Sequence, residues 1–264
     1  MPPRSDRPFL LALALLGGVY VTLIAALLVV DATHTSPAAL ADALTSPPIR
    51  SAIWLSLLSS SAAAILSLWV ATPLAYLLVR TRFPGKWLVE LVVDVPVVLP
   101  PLVVGISLLL LFQTVAGRWF EQTAFPVTYA VAGVVLAQFT VVTALAVRTL
   151  RVTFDTITPR TEDIARTLGC TRAAAFWRVT LPEARRGIVA AFTLAWARAL
   201  GEFGPVLVFC GATRGRTEVM PTTVFLELSV GHLEAAVAVS LLMVAVALMV
   251  LLLLRAGGSK VGTP

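Results

Sequence analysis

Residues 161–187 read TEDIARTLGCTRAAAFWRVTLPEARRG, a polar, arginine-rich island in an otherwise apolar chain. Apolar runs stand on both sides of it, 127–147 before and 188–210 after. About 20 mostly apolar residues suffice for a helix to cross a bilayer. The island therefore reads as a loop at one membrane face, held between two spans. Four further runs, at 9–30, 53–78, 91–112 and 235–254, make about six spans in all. Helices are the expected form, because each segment must satisfy its own backbone polar groups in lipid. Alternating ten-residue segments of a membrane barrel are absent.

Composition agrees. Of 264 residues, 58% are hydrophobic and 13% charged, against roughly 45–50% and about 25% in soluble domains. Disordered, collagen-like and disulfide-scaffold chains are excluded, and the balance favours an integral membrane protein over a soluble enzyme. The run 53–78 is long for a simple span and is expected to tilt or project past the lipid. The run 9–30 exceeds the 7–15 apolar residues of a signal peptide and suits a retained helix.

Basic residues set the orientation. Fifteen of the 20 lysines and arginines fall on one side of this topology, among them Arg4, Arg7, Arg255 and Lys260, and eight lie in 148–187. Arg50, Arg118, Arg214 and Arg216 fall on the other side, and Arg198 lies inside a span. Both termini and the loop 148–187 are thus expected in the cytoplasm. The net charge of +6 reflects this placement and is no nucleic-acid signal. Cys170 and Cys210 fall on opposite faces and are expected as free thiols. No HExxH, G-x-S-x-G or G-x-x-x-x-G-K-[ST] occurs, so no catalytic, metal or nucleotide site is expected in this chain.

Within the loop, two short helices with a stop between them are expected. Thr161 can cap the first, with Glu162 and Asp163 in its first turn. Gly169 suits the left-handed position that ends a helix. Thr171 can cap a second helix over 172–178, and Pro182 marks the end of the unit. The second helix offers small Ala173–Ala175 and bulky Phe176 and Trp177. It can dock in a groove of another protein or lie on anionic lipid; the residues alone leave both open.

Asp163, Ile164 and Ala165 are followed by three residues and then Gly169; nine residues later come Val179, Thr180, Leu181 and Pro182. This resembles the loop shared by permease subunits of ATP-binding-cassette importers: Glu-Ala-Ala, three residues, Gly, nine residues, Ile, one residue, Leu-Pro. The departures are Asp for Glu, Ile for the first Ala and Val for Ile. The resemblance implies an all-α type I importer permease fold, one transmembrane domain over 1–264 in the plasma (inner) membrane. It implies that the loop inserts into a separate ATPase subunit, with Asp163, Ala165, Gly169, Phe176, Leu181 and Pro182 as the coupling surface. ATP and Mg would be bound by that partner, leaving no cofactor here. An external solute-binding protein and a second permease chain, as a homodimer, would complete the assembly.

The fifth run contains WARALGEFGPVLVFCG at 196–211. Arg198 and Glu202 are four apart and share a helix face. In a span they must face protein or water, as a salt bridge that locks packing or as part of a translocation path or gate. Gly201, Gly204 and Pro205 point to a helix break there, and Pro96, Pro100 and Pro101 to another in the third run beside Asp94. The stretch Ala197-Arg198-Ala199-Leu200-Gly201-Glu202-Phe203-Gly204 and the run from Asp94 to Pro101 are similar to permeases for molybdate, tungstate and sulfate. That resemblance implies a tetrahedral oxyanion as cargo, molybdate or tungstate first. Asp94, Arg198, Glu202 and Gly204 are the candidate path residues. Arg214 and Arg216, in the outer loop, suit either the anion, through forked guanidinium donors, or an acidic face of the binding protein; a solvated loop is the plain reading. Sulfate or thiosulfate import, and a gradient-driven transporter using Arg198, Glu202 and Asp94 as an ion relay, are the alternatives.

Overall fold

Apolar runs and proline placement decide where the helices start and break. In the computed structural model, which describes residues 7–259, the chain is helical throughout, and the described residues contain no strand. Arg4 and Lys260 lie outside the described residues. The elements are α1 (Arg7–Thr33), α2 (Pro37–Thr45), α3 (Pro47–Arg80), α4 (Lys86–Val98), α5 (Pro101–Gln113), α6 (Val115–Thr123) and α7 (Val131–Thr156). They continue with α8 (Pro159–Thr167), α9 (Arg172–Ala175), a π turn at Phe176–Thr180, α10 (Leu181–Glu183), α11 (Arg185–Leu200), α12 (Gly204–Cys210), α13 (Met220–Ser229) and α14 (Leu233–Ser259).

Four helices, α1, α3, α7 and α14, are long and apolar enough to span a membrane unbroken. The third and fifth spans are broken pairs: α4 and α5 meet at 113°, α11 and α12 at 58°. Both breaks have a local cause. Pro100 and Pro101 lack the N–H that would continue α4, and α5 restarts on the Pro100 carbonyl, which accepts from Val103 N at 2.9 Å. Glu202 N donates to Ala199 O at 3.1 Å, and α12 begins two residues on with Pro205 in its first turn. The fourth span starts later than the apolar run, at Val131, because 124–130 form an irregular turn in which Tyr129 takes φ 55°.

The bundle closes around small side chains. On α3, Ala52, Ser56, Ser60, Ala63, Ser67, Ala71 and Ala75 are buried, a row three or four residues apart that lets a neighbouring backbone approach closely. Against this row lies α7, whose Val142, Ala146, Val147 and Leu150 share a buried core with Ala63, Ala71 and Ala75. Ser67 and Thr143 join their hydroxyls at 2.9 Å across the pair. On the far side α11 is fastened by Trp196 Nε1 donating to Ser61 Oγ at 3.1 Å. Thirty-four residues in α3 are about 50 Å of helix, longer than a hydrocarbon core of about 30 Å, a length that calls for tilt or projection past the lipid. By contrast, α1 touches the bundle through α14 and buries none of its apolar window.

The candidate loop and the paired helix breaks

Between the fourth and fifth spans the chain folds into a compact loop. Its first helix starts earlier than expected. Thr158 is the N-cap residue and Pro159 opens α8, because proline is pre-organised for a first helical position whose N–H is unpaired anyway. Thr161 therefore lies inside the helix, where its hydroxyl donates back to Thr158 O at 2.9 Å. The stop is as expected. Gly169 sits at φ +93°, with Gly169 N on Arg166 O at 3.0 Å and Cys170 N on Ala165 O at 3.1 Å. These two bonds make a Schellman motif.

Thr171 then caps α9, its hydroxyl accepting from Ala174 N at 3.2 Å. The second helix does not continue as α: Phe176–Thr180 widens into a π turn. Pro182 does not end the unit, because it occupies the first turn of α10, where its missing N–H costs nothing. The chain breaks at Ala184 instead, and α11 follows.

The six expected coupling residues divide by exposure. Asp163, Gly169 and Pro182 lie on the open surface, while Ala165, Phe176 and Leu181 are half-buried. Asp163 is paired with Arg166, at 3.7 Å on the same helix. Sequence reasoning passed over Leu168, which is 81% exposed; Trp177, expected among the bulky residues of the second helix, is 65% exposed. Exposed bulky apolar groups on an arginine-rich loop mark a contact surface. It also passed over Glu162, which is buried and accepts a hydrogen bond from Tyr76 of α3 at 2.5 Å. The resemblance assigned Asp163 to the coupling surface and gave Glu162 no part; the helix turns Asp163 outward and Glu162 inward.

In the membrane the two breaks meet. A Cβ on Gly105 would lie 2.9 Å from Pro205 Cα, and one on Gly204 would lie 3.2 Å from Leu102 N. A side chain at Gly105 would force the α5 elbow away from α12, and one at Gly204 would crowd it. Arg198 pairs with Glu202 at this point, and Glu202 is 1% exposed while the Arg198 side chain is 40% exposed. Gln138 of α7 donates to Ala199 O at 3.1 Å beside them. Asp94 is not part of this group. Its carboxylate accepts from Arg148 Nε at 2.8 Å, and Glu90 likewise holds Arg151 at 2.8 Å. These pairs fasten α4 to α7 around a cavity of about 540 Å³ lined also by Lys86 and Asp155.

Outside the fifth span, Arg214 is held by Glu227 at 2.6 Å, and Glu227 also contacts His232 Nδ1 at 3.1 Å. Arg216 is exposed. Both cysteines are free, and no group of residues fit to hold a metal occurs among the described residues. Glu218 is 2% exposed. Burial pushes its carboxyl above the usual carboxylate range, with Thr223 and Arg214 acting the other way. A raised folded-state pKa favours the protonated form, so this contribution to stability is complete below the unfolded pKa and is lost as pH rises through the folded one. Hydrogen-exchange protection of residues 212–219 should accordingly fall as pH rises above the ordinary glutamate range, after correction for intrinsic exchange. Glu218→Gln should flatten that dependence, and an unchanged slope in this variant would remove Glu218 as its source.

Three comparisons bear on the arrangement. The family model described as binding-protein-dependent transport system inner membrane component matches residues 63–258. The molybdenum transport system permease protein ModB of Mycobacterium tuberculosis is 35% identical over 256 residues, 96% of this chain and 95% of its own. The sulfate transport system permease protein CysT of Escherichia coli is 32% identical over 223 residues, 84% of this chain and 80% of its own. Among solved structures, a bacterial ABC transporter involved in the import of the acidic polysaccharide alginate superposes with a TM-score of 0.78 over 98% of both chains. At 17% identity that likeness speaks for the fold.

Proposed function

Because the chain belongs to the binding-protein-dependent transport system inner membrane components, a family of ABC importer permeases of the inner membrane, we propose that it carries a tetrahedral oxyanion, molybdate or tungstate first. The observation that supports this cargo is the near full-length likeness to a permease named for molybdenum. The similar likeness to a permease named for sulfate favours sulfate as the second reading.

The whole chain acts as one transmembrane domain, with its termini and the loop 148–187 in the cytoplasm. It pairs with a second copy and hydrolyses nothing itself; ATP and Mg belong to separate ATPase subunits. The loop docks in those subunits through Asp163, Ala165, Gly169, Phe176, Leu181 and Pro182, with Leu168 and Trp177 filling apolar pockets. A loaded external binding protein delivers the anion to the outer loop carrying Arg214 and Arg216. Closure of the ATPases shifts the loop and alternates access across the elbows. Arg198, Glu202 and Gly204 form the gate between these states. Asp94 serves it indirectly, by holding α4 on Arg148.

Two experiments separate the parts of this reading. In proteoliposomes holding the full importer, molybdate should stimulate ATP hydrolysis and enter the lumen, and sulfate should compete weakly. Preferential uptake of sulfate would reassign the cargo, and indifference to both would remove the oxyanion. Arg214→Glu would set a carboxylate against Glu227 and reverse the charge of the outer surface. Binding-protein-dependent uptake should then fall about tenfold, the scale of one displaced ion pair at a contact, with the ATPase still attached. Release of the ATPase by this change would invert the orientation.

A further inference from the structure

The loop is joined by sequence to α7 and α11 but not to α3. Its link to the cytoplasmic end of that helix runs through side chains, and they converge on Tyr76. The Tyr76 ring meets Phe154 of α7 at 5.9 Å and Phe176 of the π turn at 4.7 Å, both edge to face. The Arg172 guanidinium stands 5.9 Å over its centre. Its hydroxyl donates to Glu162 Oε1 at 2.5 Å.

Glu162 gathers the rest. Thr180 of the π turn donates to its other oxygen at 3.3 Å, and Arg80 and Arg172 stand 3.9 and 4.0 Å away. Arg80 in turn donates to Ile157 O at 2.6 Å, where α7 gives way to the loop. Both Tyr76 and Glu162 are more than nine-tenths buried. A short hydroxyl–carboxylate bond in a dry site is stiff and directional. A slip of an ångström between α8 and α3 would break it and part Glu162 from Arg80 as well, so the bond favours the two helices moving together. Three residues before Tyr76, Pro73 lies inside α3. It removes one intrahelical N–H and gives the end of the helix a place to swing.

We propose that Tyr76 and Glu162 form the joint that passes the loop's displacement into the second span, with Pro73 as its hinge. Both are positioning residues, and neither touches the ATPase or the anion. The inference rests on reading the loop as an ATPase dock. It divides the two adjacent acids: Asp163 faces the partner, and Glu162 faces the membrane helix.

The test uses the full importer in proteoliposomes, with molybdate as the probe or sulfate if the wild-type complex takes no molybdate. ATPase stoichiometry, ATP hydrolysis and anion uptake are read together. Tyr76→Phe keeps the ring against Phe154 and Phe176 and removes one hydroxyl. It should hold a full complement of ATPase while uptake per ATP falls at least tenfold. Glu162→Ala should give the same loss. Glu162→Gln, which still offers Tyr76 an acceptor oxygen, should stay within threefold of wild type. Wild-type uptake per ATP in Tyr76→Phe would overturn the joint. Equal loss of hydrolysis and uptake would overturn it too, as would loss of bound ATPase, since these mark general damage or a docking role. Absence of ATPase from the wild-type complex would overturn the dock, and the joint with it.

Discussion

Gly169→Asp should abolish uptake while leaving the permease folded in the membrane. The two halves of that result have separate causes. At φ +93° the residue lies in the left-handed region, where a side chain costs roughly 1–2 kcal/mol. A Cβ there would meet nothing within 4 Å, so the chain itself raises no clash. If the loop tip is seated in an ATPase cleft, the same position is closed and the new carboxylate is buried without a partner. An uncompensated charge at a desolvated contact costs roughly 3 kcal/mol or more, which is a loss of about 100-fold in docking affinity. Gly169→Ala serves as the control. It carries the backbone strain without the charge and should retain most of the uptake. The measurement is anion uptake set beside membrane-extracted protein on a gel-filtration column. A Gly169→Asp permease that transports normally would remove the dock.

The second large effect belongs to the helix breaks. Arg198→Leu leaves Glu202, 1% exposed, without its cation. A lone charge near the bilayer centre costs roughly 2.5–3.5 kcal/mol. The half-open guanidinium keeps the expected loss of stability near the lower figure. Thermal unfolding in detergent should show it as a clear fall in Tm. Arg198→Leu with Glu202→Leu removes both charges, and replacing a buried pair by apolar groups is often neutral. Stability should therefore return in the double variant. Uptake should not return if the pair works the gate. Recovery of both would make the pair a packing lock alone.

How much of this was legible in the sequence depended on range. The six apolar runs needed only local composition. Arg198 and Glu202 needed only a spacing of four, and the structure joins them. Gly169 needed only the knowledge of what ends a helix. The start of α8 went to Thr158 rather than Thr161 because Pro159 is the better first residue. Propensity gave no warning of the π turn at Phe176–Thr180, whose first residue packs on Tyr76, 100 residues earlier. Long-range pairs were beyond reach. Asp94 was grouped with Arg198 by depth, yet it answers to Arg148, 54 residues away. Glu162 was one of two adjacent acids until the fold placed Tyr76, 86 residues earlier, against it.

Purification of the tagged full-length chain in mild detergent, with nucleotide trapped, tests the central claim most directly. A cytoplasmic ATPase subunit should accompany the wild-type permease in stoichiometric amount and be lost from Gly169→Asp. A wild-type preparation free of ATPase under trapping conditions, yet active in uptake, would contradict the account.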